Sequence, residues 1–228
     1  MGDYFRDASK AIRDVNSTRG NKPFIRGLVL CTCGPTGRIP KSVAMLRMMV
    51  ESNIFDFVLV FSGVSTIDNL VIHALNRFVE NVFVYNMGPW DALLQSFGED
   101  RHALDASPVV LCFADHMQKG TIYNRVVECR MLVLSSFTDA RPWGLDMYCC
   151  PECAGPSQNI HFNAFGRKYY GSRWLDTKMK IYCRQCKTST VNISAPRWIY
   201  SCRTDSLYRV WYNWPLTNSQ LSEIGVRH

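Results

Sequence analysis

From residue 24 to about residue 140 the chain alternates two kinds of apolar pattern. "FIRGLVLCTC" (24–33) is a short continuous apolar run that ends in the turn sequence "GPTG", and it predicts a buried strand. In "PKSVAMLRMMVES" Pro40 stands at a helix start, and Val43, Leu46 and Val50 recur at helical spacing. "FDFVLVFSG" (55–63) predicts a second buried strand. Ile67, Leu70, Val71, Ala74, Leu75, Phe78 and Val79 then keep an i, i+3, i+4 rhythm, with Asn69, His73 and Arg77 on the polar side. This is the clearest helix in the sequence. "VFVY" (82–85) predicts a third strand, "WDALLQSF" a short helix and "VVLCF" (109–113) a fourth strand, while "YNRVVECRMLVLSS" fits helix or strand. Strands alternating with helices predict an α/β fold with a mainly parallel sheet and flanking helices.

The pattern changes at "TDARPWGLD" (138–146), where Pro142 and Gly144 interrupt it. Beyond that point long helical periodicity gives way to short aromatic and β-branched runs: "KMKIYC", "STVNI", "RWIYSC" and "RVWYNW". Such runs predict a small antiparallel sheet. The last stretch, "TNSQLSEIGVRH", reads as a short helix or a frayed tail. The organisation expected is an N-terminal extension (1–23), an α/β domain (24–140), a β-rich module (146–215) and a C-terminal tail (216–228). No internal repeat and no low-complexity segment interrupts it.

Composition adds three constraints. With 228 residues, 47% of them hydrophobic and 20% charged, the chain suits one large domain or a domain plus a small module, with a real core. No apolar run reaches the roughly 18 residues needed to cross a membrane. The start, "MGDYFRDASK", is charged from its third residue, unlike a signal peptide, and Arg6 stands where a myristoylation site wants Ser or Thr. An intracellular protein, cytoplasmic or nuclear and without a membrane partner, is therefore expected. In that compartment ten cysteines are not five disulfides, and the sequons at Asn16 and Asn192 carry no weight.

The net charge of +7 is unevenly placed. Residues 1–140 carry 14 Lys and Arg against 14 Asp and Glu, whereas residues 141–228 carry 12 against 5, so the whole excess lies there. A basic module attached to a neutral one follows, and its charge is either a binding surface or a solvated face.

The basic part also holds the clearest chemistry. "CCPECAG" (149–155) and "CRQCKT" (183–188) contain two Cys-x-x-Cys pairs, Cys150 with Cys153 and Cys183 with Cys186. Two intervening residues let both thiolates face one ion from a tight turn, and two such turns complete a tetrahedron of four sulfurs. Arg184 and Lys187 bring positive charge beside a site that is formally −2 once four thiolates hold Zn²⁺. The 29 residues between the pairs exceed the usual spacing of about 15–20, which an inserted hairpin accommodates. Buried apolar cysteines and a redox pair are the other readings; the second needs a thioredoxin-like βαβ that the β-like sequence does not offer. Cys149 is the main rival ligand, with His161 and Cys202 as further substitutes. Over about residues 146–200 the chain resembles the zinc-ribbon class, whose metal knuckles sit at the ends of β-hairpins. That resemblance implies one structural Zn²⁺ on Cys150, Cys153, Cys183 and Cys186 and no reaction.

"GRKYYGSRW" (166–174) interleaves Arg167, Lys168 and Arg173 with Tyr169, Tyr170 and Trp174. Cationic groups bind phosphate and aromatic faces stack bases, so a nucleic-acid surface is one reading. A hairpin whose aromatics form the module's own core is the other.

"CTCGPTGRIPKS" (31–42) is not a phosphate loop, because Pro40 stands where a glycine must precede the Lys-Ser pair. The strand "GLVLCTCG" followed by a helix, by "FDFVLVFSG" and by a second helix resembles the C-terminal half of caspase-like peptidases, particularly the CHAT group. That resemblance places Cys33 at the nucleophile position. It departs where the catalytic histidine should precede the cysteine, since no histidine precedes Cys33. A thiol without a base is only slightly ionised at neutral pH, so the chain alone is expected to be inactive. His116, with Asp115 directly after the fourth strand, is the best-placed acid–base candidate. The function expected is a zinc-binding recognition module that contacts nucleic acid or a protein partner. The alternatives are a caspase-like peptidase fragment or inactive relative, and an interaction domain with purely structural zinc.

Overall fold

The structure is a computed structural model that describes residues 25–31, 35–63, 68–114, 126–135, 141–165, 178–202 and 209–226. The chain divides into two compact units, Met1–Arg130 and Met131–His228. The first carries strands β1 (Gly27–Leu30), β2 (Phe57–Phe61) and β3 (Val109–Ala114). Its helices are α1 (Pro40–Glu51), α2 (Asp68–Phe83), α3 (Pro89–Ser96) and α4 (Arg101–Ala106). Strand β4 (Val127–Leu134) begins in the first unit and ends in the second. The second unit then holds β5 (Ile160–Phe165), β6 (Lys178–Cys183), β7 (Ser189–Ile193), β8 (Tyr200–Ser201), β9 (Arg209–Asn213) and helix α5 (Asn218–Glu223). Among the described residues two sheets form, one with strand order β1-β2-β3-β4-β9-β8 and one with order β5-β6-β7.

The larger sheet is mixed and not mainly parallel as the alternation of elements predicts. Strand β1 runs parallel to β2, but β2 runs antiparallel to β3 and β8 antiparallel to β9. The physical reason lies in "VFVY". Val71, Ala74, Phe78 and Val82 are the buried positions of one continuous helical stripe, so α2 runs on to Phe83. Val84 and Tyr85, which a buried strand would hide, are 70% and 63% exposed. Without a strand there, β2 and β3 are direct neighbours, and among the described residues helices alone lie between them. Strand β1 is also less buried than its apolar run implies, because it is the last strand on its side of the sheet.

Strand alternation sorts the first unit's core onto two faces. Phe57 pairs with Phe113 in register, and Phe57 meets Phe78 of α2 edge-on at 5.5 Å. On the same face Phe61 packs on Phe97, and Trp90 of α3 stacks over Phe113. The opposite face carries Val58 and Val60 opposite Cys112 and Val110. Gly27 sits in register with Phe57, and a Cβ there would lie 2.0 Å from the Phe57 ring. That ring is fully buried between Phe78 and Phe83 and has nowhere to go. Gly27→Ala is therefore expected to cost about 1–3 kcal/mol by overpacking, read as a lower urea midpoint.

An ion pair fixes the start of this sheet. The Arg26 backbone N–H donates to Asp56 Oδ2 at 2.8 Å, and its guanidinium lies 3.4 Å from Asp56 Oδ1. The same guanidinium donates to Asn53 Oδ1 at 2.6 Å, and Asp56 N–H donates back to the Arg26 carbonyl. Nothing in the apolar pattern announces this pair.

In the second unit the small sheet is antiparallel throughout. Among the described side chains Ile160, Phe162, Met179, Ile181 and Cys183 are its buried positions. Phe162 packs with Tyr148 and with Trp143, which is wholly buried although its backbone is left-handed (φ 52). Gly144 follows at φ 78, and a Cβ there would stand 2.0 Å from Val133 Cγ2, which explains the "PWG" break in the pattern. "IHFNAF" is β5, a strand the sequence reading did not include. "RWIYSC" and "RVWYNW" do form antiparallel partners, but as β8 and β9 they belong to the larger sheet. The stretch after Leu216 is a helix, stopped from fraying by a capping box between Thr217 and Gln220.

Candidate metal centre

Two turns of the second unit carry the paired cysteines, and both close in the same way. In the first, Cys150 N–H donates to the Gly155 carbonyl (2.7 Å) and Ala154 N–H to the Cys150 carbonyl (2.8 Å). In the second, Cys183 N–H donates to the Thr188 carbonyl (3.0 Å) and Lys187 N–H to the Cys183 carbonyl (2.9 Å). Each turn needs its fifth residue in the left-handed region: Ala154 has φ 55 and Lys187 φ 61. Neither is glycine, so each knuckle stores a small strain that something else in the fold must offset. Two turns of equal shape present two cysteines each.

The second knuckle is the connection between β6 and β7, and the first precedes β5. Arg184 N–H donates to the Asn159 carbonyl (2.8 Å), and Asn159 Nδ2 donates to Gln185 Oε1 (3.2 Å), which ties the hairpin turn to the entry of β5. Gly155 lets the two knuckles approach; a Cβ there would meet Gln185 Oε1 at 2.6 Å and Cys153 Sγ at 3.2 Å.

The four sulfurs gather tightly. Cys150 Sγ lies 3.8 Å from Cys186 Sγ, and Cys153 Sγ lies 3.7 Å from Cys183 Sγ. All four lie within 4.8 Å of one another. These distances are far longer than a disulfide bond of about 2.05 Å. Four sulfurs at about 2.3 Å from a central ion would stand about 3.8 Å apart along each tetrahedral edge. The donor set thus fits one metal ion. Cys150 and Cys183 are buried, while Cys153 and Cys186 are partly exposed, so the cluster sits at the margin of the small sheet.

Electrostatics give the same reading. The Thr188 hydroxyl and backbone N–H stabilise the Cys186 thiolate and hold its pKa down to about 6. Cys153 accepts from the Gly155 backbone N–H, which favours its thiolate. Desolvation and the other three sulfurs outweigh that bond and push its pKa up to about 12. One thiol therefore ionises readily and the crowd resists full ionisation. A cation at the centre removes that resistance, because it pairs with all four charges at once.

The rival ligands stand apart from the cluster. Cys149 Sγ turns toward the Met147 carbonyl at 3.5 Å, and burial with the neighbouring Cys150 raises its pKa. His161 Nε2 accepts a 2.6 Å hydrogen bond from Arg184 Nε on the exposed side of the hairpin. Cys202 follows β8, and its N–H donates to the Arg209 carbonyl at 3.1 Å. His73 is exposed on α2, as its place on the polar side predicts. Cys33 and His116 lie outside the described residues, as do Arg167, Lys168, Tyr169, Tyr170, Arg173 and Trp174. Sequence spacing found the four sulfurs but not Gly155 and Thr188, each two residues beyond the second cysteine of its pair. The glycine and threonine at those places are the only signal.

No protein-family model matches the chain, no curated protein matches it, and no solved structure matches it. No helix among the described residues is long and apolar enough to cross a membrane.

Proposed function

We propose that the chain is a zinc-binding recognition module of the zinc-ribbon kind, in which the metal maintains the fold and takes no part in chemistry. The observation that carries this is the set of four cysteine sulfurs within 4.8 Å of one another, two pairs of them at the tetrahedral-edge distance. Four protein donors complete the coordination of Zn²⁺ and leave no position for water or substrate, unlike a catalytic site with three. Soft sulfur donors in a tetrahedron suit zinc or iron, and closed Cys₄ pairs on knuckles are the arrangement of structural zinc. When bound, the ion supplies fixed charge and cross-linking; Cys150, Cys153, Cys183 and Cys186 hold it, and Gly155 and Thr188 stabilise the thiolates.

Nucleic acid is the partner class that the charge favours. Residues 141–228 carry 12 Lys and Arg against 5 Asp and Glu, and "GRKYYGSRW" places cations among aromatic rings. On β8 and β9, Tyr200 stacks on Trp211 at 4.5 Å with Arg209 on the same side of the strand pair, which adds aromatic and cationic surface outside the core. The test is fluorescence anisotropy of labelled DNA and RNA with the full chain across a salt series. Binding in the micromolar range is expected at low salt, with each duplex phosphate contact steepening the log–log slope by ~0.9. Changing Arg167, Lys168 and Arg173 to Ala flattens that slope, whereas Trp174→Ala weakens single-strand binding with little change in slope. No binding at low salt by a chain that still holds its metal would leave the interaction domain with purely structural zinc as the reading.

A further inference from the structure

Cys112 and Cys129 take no part in the metal centre, yet their sulfurs lie side by side. The two Sγ atoms lie 2.6 Å apart in the core, at 0% and 5% exposure. Carbon atoms in packed interiors stay about 3.5–4.0 Å apart, and sulfur is the larger atom. The separation is only about 0.6 Å longer than a disulfide bond. The packing of the fold therefore brings this pair to bonding reach.

The strands aim both side chains the same way. On β3, Phe113 faces Phe57 and Trp90, and its neighbour Cys112 faces the other side, opposite Val58. On β4, the Arg130 guanidinium lies 4.8 Å from the Trp90 ring centre and 5.3 Å from that of Phe113, so its neighbour Cys129 also faces the other side. Strands β3 and β4 are hydrogen-bonded neighbours in the sheet. Two cysteines on adjacent strands, on one face, with touching sulfurs are placed for a cross-link.

We propose that Cys112 and Cys129 form an intrachain disulfide that staples β3 to β4 when the protein meets a low-molecular-weight disulfide such as oxidised glutathione. One cysteine sulfur attacks a glutathione sulfur, the glutathione S–S bond breaks, and one glutathione thiolate leaves. The second cysteine sulfur then attacks the mixed disulfide, forms the Cys112–Cys129 bond and expels the second glutathione. The two cysteines lose two electrons to the oxidant, and their two protons go to the departing thiolates. The hydrogen bond with Cys112 and burial push the Cys129 pKa upward, so this thiol stays protonated in the closed core. Exchange accordingly proceeds over minutes to hours, slower than at the exposed Cys31.

The test uses the full metal-loaded chain, equilibrated in glutathione buffers from reducing to oxidising, trapped with an alkylating reagent and mapped without reduction. At the oxidising end a peptide pair joined through Cys112 and Cys129 is expected, lighter by two hydrogens and abolished by reductant. The first unit's thermal midpoint should rise by about 5 °C or more on oxidation, and Cys112→Ala or Cys129→Ala should remove that rise. The mapping of the unaltered chain decides the matter even if a variant fails to fold. Recovery of both cysteines as separate alkyl or glutathione adducts at the most oxidising ratio would overturn the proposal.

Discussion

Replacing Cys153 or Cys186 by Ser is expected to release the metal and unfold the small sheet of the second unit. A serine hydroxyl matches the thiol in size but stays protonated at neutral pH, so the ion loses one of four anionic donors. Loss of an outer partner alone typically lowers metal affinity 10–100-fold, and loss of a ligand costs more. Structural zinc contributes about 10–16 kcal/mol of apparent binding free energy in small zinc peptides. Among the described residues the apolar core of strands β5 to β7 is small: Ile160, Phe162, Met179 and Ile181, with Phe162 packed on Trp143 and Tyr148. They also carry two strained turns at Ala154 and Lys187. Circular dichroism and limited proteolysis should show the second unit opened in either variant. A chelator should do the same to the unaltered chain. If Cys186→Ser keeps a protease-resistant second unit, the metal is not what holds it.

Asp56→Ala is expected to destabilise the first unit by about 3–5 kcal/mol. Asp56 is 4% exposed and meets the Arg26 backbone and guanidinium together, so its loss strands a largely buried positive charge beside Asn53. The cost arises from that uncompensated charge and not from any large net gain of the pair itself. Replacing both partners, Arg26→Met with Asp56→Leu, should therefore be milder than Asp56→Ala alone. Urea unfolding with a probe in the first unit reads the difference. A loss below 1 kcal/mol for Asp56→Ala would mean that solvent already screens the pair.

Much of the fold was legible because its physics is local. The α2 stripe, the uniform apolar run of β2 and the Pro40 start of α1 each follow from spacing along a few residues. Strand direction was not legible. Whether β3 runs with or against β2 depends on the path of the long connection between them, and "VFVY" is equally apolar as a strand or as the last turn of a helix. Only the burial of Val82 beside the exposure of Val84 decides it. Strand β5 escaped because "IHFNAF" is short and half polar, and its identity comes from pairing with β6. The metal site was legible because a bivalent turn imposes a fixed spacing on its ligands. The knuckles' own support, through the Thr188 hydroxyl and the Gly155 backbone, acts through geometry that no residue count reveals. The Cys112–Cys129 contact joins residues on different strands and had no sequence signal at all.

The central claim is that Cys150, Cys153, Cys183 and Cys186 hold one structural zinc ion. Elemental analysis coupled to native mass spectrometry of the full chain, purified without chelator, tests it most directly. One zinc per chain is predicted, lost in Cys153→Ser and Cys186→Ser but kept in Cys149→Ser and Cys202→Ser. A metal-free chain that retains its folded second unit, or one whose zinc is lost with Cys149 or Cys202, would contradict the account.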